Sequence, residues 1–160
     1  NTGALVFVTV VFVLVLLFWI RRSNSKKRSW AAFAAPFTKS EYPLPRADTA
    51  KESSWWLLNQ NRDRIHKAWV TVNADGIFVW HFWKRKRYQP FRISWNEIAS
   101  MEFQRFKLSN SWGPDDWGKA ELRFRDTRPS VTIPWREVFV ESMPETVGYT
   151  IHPKYYEQDI

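Results

Sequence analysis

The sequence predicts one N-terminal transmembrane α-helix followed by a mainly β domain, an antiparallel barrel or sandwich of about six to seven strands with a short C-terminal helix. Three observations lead to this fold class. The first twenty of the 160 residues contain no charged side chain, several short segments between residues 67 and 133 alternate apolar and polar residues, and cysteine is absent. The lack of cysteine excludes a disulfide scaffold and a Cys-based zinc site. Eleven tryptophans and twelve phenylalanines exclude a polar disordered chain.

Residues 1–22 form the predicted membrane helix. From Ala4 to Ile20 the chain has seventeen residues, of which Thr9 alone is polar. A helix of this length covers about 26 Å, close to the thickness of the bilayer hydrocarbon. The basic residues come after the apolar run, whereas a signal peptide carries them before it. We therefore expect a retained membrane span rather than a cleaved leader.

The basic residues that follow the span predict its orientation. Residues 1–40 contain six basic residues and no acidic one, and the whole chain has a net charge of +8. The positive-inside rule places this flank and all that follows in the cytoplasm. We expect a single-pass protein of the bacterial inner membrane with its N-terminus outside. The side chains expected at the membrane interface are Trp19, Arg21, Arg22, Lys26, Lys27, Arg28 and Trp30.

Residues 23–54 are predicted to connect the span to the domain, as a basic juxtamembrane segment and a proline-containing linker. Trp30, Phe33 and Phe37 have helical spacing. Two interpretations remain open: an interfacial helix under the headgroups, or a linker whose aromatic side chains pack on the domain or on a neighbour. Residues 38–54 contain two prolines and few apolar residues, which predicts an extended tether.

The β domain is predicted over residues 55–147, with a tail over 148–160. Trp55 to Leu58 fits either a short helix or an edge strand. The turn Asn73–Gly76 ends in Asp-Gly and predicts a hairpin. Residues 135–142 are predicted to form a short helix, which Pro144 ends. The predicted strands are Lys67–Val72, Ile77–Trp83, Phe91–Trp95, Met101–Leu108 with a bulge, Ala120–Phe124 and Val131–Ile133.

Three segments of the domain carry a family resemblance: Trp69–Val72 with Asp75–Ile77, Ile93–Ile98, and Ile133–Pro134 followed by Trp135, Arg136 and Phe139. They resemble bacterial PH-like domains, including the YcxB-like group that is often tethered to transmembrane helices. The resemblance covers roughly residues 65–140 and implies a PH-like barrel or sandwich. It also implies a module that binds lipid headgroups or protein and performs no catalysis. PH-like domains close with a long C-terminal helix, which Pro144 and Gly148 shorten here.

Two segments of the domain are candidates for contact with a partner or with lipid. The first is a basic loop between strands, and the second is a Gly- and Pro-containing insertion with two tryptophans, which are costly to leave in water. The alternatives are a solvated loop for the first and tryptophans folded over the barrel mouth for the second. Nucleic acid is not an expected partner of a membrane-tethered chain. The candidate residues are Lys84, Arg85, Lys86, Arg87, Trp112 and Trp117.

No catalytic, cofactor-binding or metal-ligating residue is predicted. His66, His81 and His152 are scattered, and no metalloprotease, hydrolase or phosphate-loop motif occurs. The sequence therefore favours a non-catalytic accessory subunit that docks on and stabilises a larger inner-membrane complex, such as a photosynthetic or respiratory one. Its partners would be the membrane and other integral membrane subunits. The alternative is a membrane-tethered PH-like module that binds anionic lipid headgroups.

Overall fold

The computed structural model describes residues 2–40, 52–58, 64–82, 87–107 and 117–157. These residues form one α-helix, nine β-strands and two short 3₁₀ turns at Trp95–Glu97 and Glu137–Ser142. The elements in chain order are α1 (Thr2–Ala34), β1 (Thr38–Lys39), β2 (Glu52–Leu58), β3 (Arg64–Asn73), β4 (Gly76–His81), β5 (Phe91–Ser94), β6 (Ile98–Lys107), β7 (Trp117–Phe124), β8 (Val131–Arg136) and β9 (Gly148–Glu157).

Helix α1 contains a segment long and apolar enough to cross a membrane. Its large apolar side chains between Val6 and Ile20 are 42–70% exposed, so this half of the helix packs on no other described part of the chain. The helix continues without interruption to Ala34, twelve residues beyond the predicted span end at residue 22. Residues 23–34 contain no Gly or Pro, and Pro36 disfavours helix for the residue before it. The first part of the predicted connector, residues 23–34, is therefore helical, whereas its residues 41–51 lie outside the described residues.

The predicted hairpin between β3 and β4 is present. Asn73 Oδ1 accepts hydrogen bonds from the backbone N–H groups of Asp75, at 2.8 Å, and Gly76, at 3.3 Å. Gly76 has a φ of 151°, which L side chains rarely adopt, and a Cβ there would lie 2.3 Å from the backbone oxygen of Ile93. Glycine is needed at this position because both the backbone angle and the close approach of β5 exclude a side chain.

The nine strands form one mixed sheet in the order β1-β5-β4-β3-β2-β8-β7-β6-β9. Strands β2 to β5 are an antiparallel meander, and β6 to β8 are a second one. The register pair Leu58↔Thr132 joins the two meanders through β2 and β8. Strand β9 pairs in parallel with β6, and among the described residues β1 and β9 do not pair with each other, so the sheet is open.

The open sheet curves around a single core. Phe37, just after α1, contacts the rings of Phe91 in β5 and Phe124 in β7, with centroid distances of 5.2 and 5.5 Å. Four strands separate β5 from β7 in the sheet order. A flat sheet would hold them roughly 24 Å apart. The contacts of Phe37 therefore require curvature, and buried residues of both meanders belong to one hydrophobic cluster.

The helix and the mainly β character are confirmed, but the details of the domain differ from the prediction. The described residues form nine strands rather than six to seven. The short helix predicted over residues 135–142 is a 3₁₀ helix over Glu137–Ser142, and the predicted tail after residue 147 is strand β9. Trp55 to Leu58 belong to β2, which lies inside the sheet and not at its edge. These differences arise from pairings between distant segments, which local periodicity does not report.

Candidate functional site

The C-terminal part of α1 inserts Trp30 into the β domain. The indole is 2% exposed. Four rings surround it, with centroid distances of 5.6–5.7 Å: His66, His81, Tyr88 and Phe91, which we call the Trp30 socket. The indole Nε1 donates a hydrogen bond to the backbone oxygen of Gln89 at 2.8 Å, so the polar atom of the buried side chain is satisfied.

His66 links the socket to the helix backbone. Its Nε2 donates a hydrogen bond to the backbone oxygen of Lys26 at 2.8 Å, since a carbonyl oxygen can only accept. Burial lowers the pKa of His66; the hydrogen bond to Lys26 partly opposes this effect, and the charge of Lys26 adds to it. The neutral imidazole is therefore favoured in the folded protein. The neighbouring His81 ring stacks on Tyr88 at 4.1 Å.

A second contact holds the chain where it leaves the helix. Phe37 is 6% exposed and packs between Phe91 and Phe124. Arg128 donates hydrogen bonds to the backbone oxygen of Pro36 at 3.1 Å and to the carboxylate of Glu97 at 3.0 Å. Its guanidinium lies 4.7 Å from the ring centroid of Phe124. The helix is thus fixed to the domain at two successive points, Trp30 and Phe37.

A groove of about 640 Å³ runs along α1 at the end of the apolar run. The residues that line it, which we call the helix groove, are Leu17, Ile20, Arg21, Asn24, Ser25 and Arg28. They follow one another at spacings that place them on a single face of a helix. The contacts of Lys26, Trp30, Phe33 and Ala34 with the domain lie about half a turn away, on the opposite face.

The predicted membrane-interface residues are divided between two environments. Trp19 is 63% exposed at the end of the apolar run. Arg21, Arg22, Lys26, Lys27 and Arg28 are exposed on α1. Trp30 was predicted at the headgroups, but the structure buries it in the socket. The helix carries it about 15 Å past Ile20, which is far enough to reach the domain.

The predicted contact residues of the β domain are only partly described. Lys84, Arg85, Lys86 and Trp112 lie outside the described residues. Arg87 is half-buried next to Tyr88 of the socket. Trp117 is half-buried at the start of β7, and its indole nitrogen is buried with no hydrogen-bond partner among the described residues. Because four of the six candidate residues lie outside the described residues, their role in docking stays a prediction.

The remaining polar clusters belong to the sheet. Arg105 and Glu137 form an ion pair between β6 and the second 3₁₀ turn. Glu102 on β6 lies 2.7 Å from Arg123 on β7 and 3.2 Å from His152 on β9, so it bridges three adjacent strands. Burial raises the pKa of Tyr149 to about 12. Among the described residues no three His, Asp or Glu side chains are grouped as a metal site would need.

Comparison of the chain with protein-family models, curated proteins and solved structures finds no match. The resemblance to PH-like domains therefore rests on the short segments named above. Sequence reasoning missed Gln89 and Arg128, and it missed the role of His66 at the junction. The helical spacing of Trp30 and Phe33 was a signal for a buried helix face, but nothing local indicated which strands would cover it.

Proposed function

We propose that this chain is a non-catalytic, single-pass accessory subunit of a larger bacterial inner-membrane complex. Its helix would hold the β domain in a fixed position at the cytoplasmic face. The observation that carries the proposal is the continuity of α1 from the apolar segment into the Trp30 socket. The basic flank supports the cytoplasmic side for the domain.

A rigid connection favours docking over simple recruitment. A domain that only has to be kept near a membrane needs no more than a flexible tether. Here the last apolar residue of the span, Ile20, and the first residue bonded to the domain, Lys26, are on the same helix, about 9 Å apart. Helical phase therefore sets which way the domain faces. Such a fixed orientation reduces the entropy lost when the span and the domain both contact one neighbour.

The proposal is tested by rotating the N-terminal part of α1 relative to the β domain, through insertions that precede the helix groove and the Trp30 socket. Inserting two leucines between Leu16 and Leu17 rotates the upstream span by about 200° relative to the domain and lengthens it by about 3 Å. Inserting four leucines lengthens it by about 6 Å but leaves the phase within about 40° of the original. Both insertions leave the helix groove and the socket unchanged. Bilayers tolerate such length changes at modest cost through tilt.

The tagged chain and the two variants are purified from their native membranes in mild detergent and separated on native gels. We expect the unaltered chain and the four-leucine variant to migrate with stoichiometric membrane subunits, and the two-leucine variant to lose them. The accessory-subunit proposal is wrong if all three proteins migrate alone. The fixed-orientation argument is wrong if the two-leucine variant assembles as well as the four-leucine variant.

A further inference from the structure

The helix groove has a composition that differs between its two ends. Leu17 and Ile20 line the end within the apolar run, whereas Arg21, Asn24, Ser25 and Arg28 line the end beyond it. The groove thus crosses from the hydrocarbon level to the headgroup level when the apolar segment spans a bilayer. All six lining residues are exposed and belong to α1, so the groove is a surface groove that no other described part of the chain encloses.

The groove faces away from the domain. The contacts of α1 with the socket occupy the opposite face of the helix, so the β domain does not cover the groove. The attachment of α1 to the domain through the socket also fixes the distance between the helix groove and the β domain. The groove is therefore open to a molecule that lies in the same leaflet as the basic residues.

The polar end of the groove is complementary to a phosphate. Arg21 and Arg28 each supply a guanidinium, which binds phosphate oxygens through paired N–H donors. The amide of Asn24 and the hydroxyl of Ser25 are additional hydrogen-bond donors. No acidic residue occurs in residues 1–40 to compete for the arginines or to repel an anion. A free phosphate ion would not use the apolar end, whereas a phospholipid would place an acyl chain against Leu17 and Ile20.

We propose that the helix groove binds an anionic phospholipid of the cytoplasmic leaflet, with its phosphate at Arg21 and Arg28. The basic residues outside the groove attract anionic lipid only as a diffuse layer. The groove differs from them because it combines charge, hydrogen-bond donors and an apolar wall in one place. This inference does not depend on the accessory-subunit proposal.

The test compares two double variants of the full chain with equal charge. Arg21→Gln with Arg28→Gln removes two charges from the groove, and Arg22→Gln with Lys27→Gln removes two charges from residues that do not line it. Each protein is purified in detergent, delipidated and titrated with phosphatidylglycerol, phosphatidylcholine or inorganic phosphate. Native mass spectrometry counts the bound lipids, and the thermal unfolding midpoint reports stabilisation.

We expect the unaltered chain and the Arg22/Lys27 variant to retain one phosphatidylglycerol and to unfold at a higher temperature in its presence. The Arg21/Arg28 variant should bind it about tenfold more weakly or worse. A third variant, Asn24→Leu with Ser25→Leu, fills the groove at unchanged charge and should also lose the lipid. Circular dichroism without lipid checks that every variant is folded.

Four results would overturn the proposal. Equal losses in the two charge variants would mean diffuse attraction instead of a site. Equal binding of phosphatidylcholine would mean that the phosphate charge is not recognised by the arginines. Stabilisation by inorganic phosphate alone to the same extent as by phosphatidylglycerol would mean an anion site without a lipid. Retention of the lipid by the groove-filling variant would place it elsewhere on the helix.

Discussion

At the scale of single residues, Trp30 connects helix α1 to the β domain. Its indole lies ten residues beyond Ile20 and is 2% exposed, with its Nε1 bonded to Gln89. Trp19 provides the contrast, since it lies on the same helix and is 63% exposed. Tryptophan is thus a core residue at position 30 and an exposed residue at position 19 of the same helix. The difference arises because only position 30 reaches the β domain.

We expect Trp30→Ala to lower the free energy of unfolding of the domain by about 3–5 kcal/mol, because a large buried ring is lost and leaves a cavity. Trp19→Ala removes the same side chain from an exposed site and should change that free energy by less than about 0.5 kcal/mol. Urea unfolding of the full chain in detergent, followed by circular dichroism in the β region, measures both. Similar losses of unfolding free energy in the two variants would contradict the burial of Trp30 in the socket.

His66 should make the junction sensitive to acid. Its pKa in the folded protein is lowered by burial, whereas in the unfolded chain it is about 6.5. Between these two values the unfolded chain binds the proton and the folded one does not. Stability contributed by the neutral imidazole is therefore complete above about pH 6.5 and is lost as the pH falls below it, by at most about 1.4 kcal/mol per pH unit.

His66→Gln keeps an amide donor for the Lys26 oxygen but does not titrate. We expect its unfolding free energy to vary less between pH 7 and pH 5 than that of the unaltered chain. His81→Gln is the matched control, since His81 lies 5.1 Å from His66 in the same socket, whereas His66 makes the hydrogen bond to the Lys26 oxygen. If His81→Gln removes the pH dependence and His66→Gln does not, the assignment to His66 is wrong.

At the scale of elements, helix α1 and the β3–β4 hairpin organise the domain. Because α1 is uninterrupted, it fixes the orientation of its apolar segment relative to the sheet. The tight β3–β4 hairpin sets the register of the first meander. The hairpin depends on Asn73, which caps its own turn, and on Gly76, where β5 approaches too closely for a side chain. An error in this turn would shift the alternation of buried and exposed side chains in β4.

We expect Gly76→Ala to lower the free energy of unfolding by about 1–3 kcal/mol, because alanine is strained at the φ of 151° and its Cβ would lie 2.3 Å from the Ile93 oxygen. Gly148→Ala is the control, since a Cβ at Gly148 would meet its nearest neighbour, Ser100 Cβ, at 3.5 Å. Thermal unfolding of both variants measures the difference. Equal midpoints for the two would show that the hairpin tolerates a side chain.

At the scale of the whole molecule, a helix apolar enough to span a membrane and a curved sheet share one hydrophobic core. The hydrophobic cluster includes Trp30 and Phe37 together with residues of both meanders, so the domain completes its core with the end of the helix. The domain without α1 would therefore lack part of its own core. The orientation of the domain relative to the apolar segment of α1 follows from this shared packing.

The charge asymmetry around the span predicts that residues 21–160 are cytoplasmic. Protease added to intact spheroplasts should leave the domain undigested, and the same protease should digest it once the membrane is permeabilised. Immunoblotting against a C-terminal tag measures both, with a periplasmic protein as the digestion control. Digestion of the tag and domain in intact spheroplasts would reverse the orientation.

The sequence alone was sufficient for the features that depend on near neighbours along the chain. The apolar run before Ile20 predicted a helix able to span a membrane, alternation predicted a mainly β domain, and the Asn73–Gly76 turn predicted its hairpin. Each is a local signal, because length, period and turn chemistry act over a few residues.

The tertiary structure decided the features that join distant residues. The parallel pairing of β9 with β6 brings together residues about fifty positions apart, such as Met101 and Tyr149, and no local pattern marks such a partner. The burial of Trp30 likewise depends on rings from β3, β4 and β5 that close around the helix. The same amphipathic spacing fits a membrane surface or a protein core, and only the arrangement of the sheet distinguishes them.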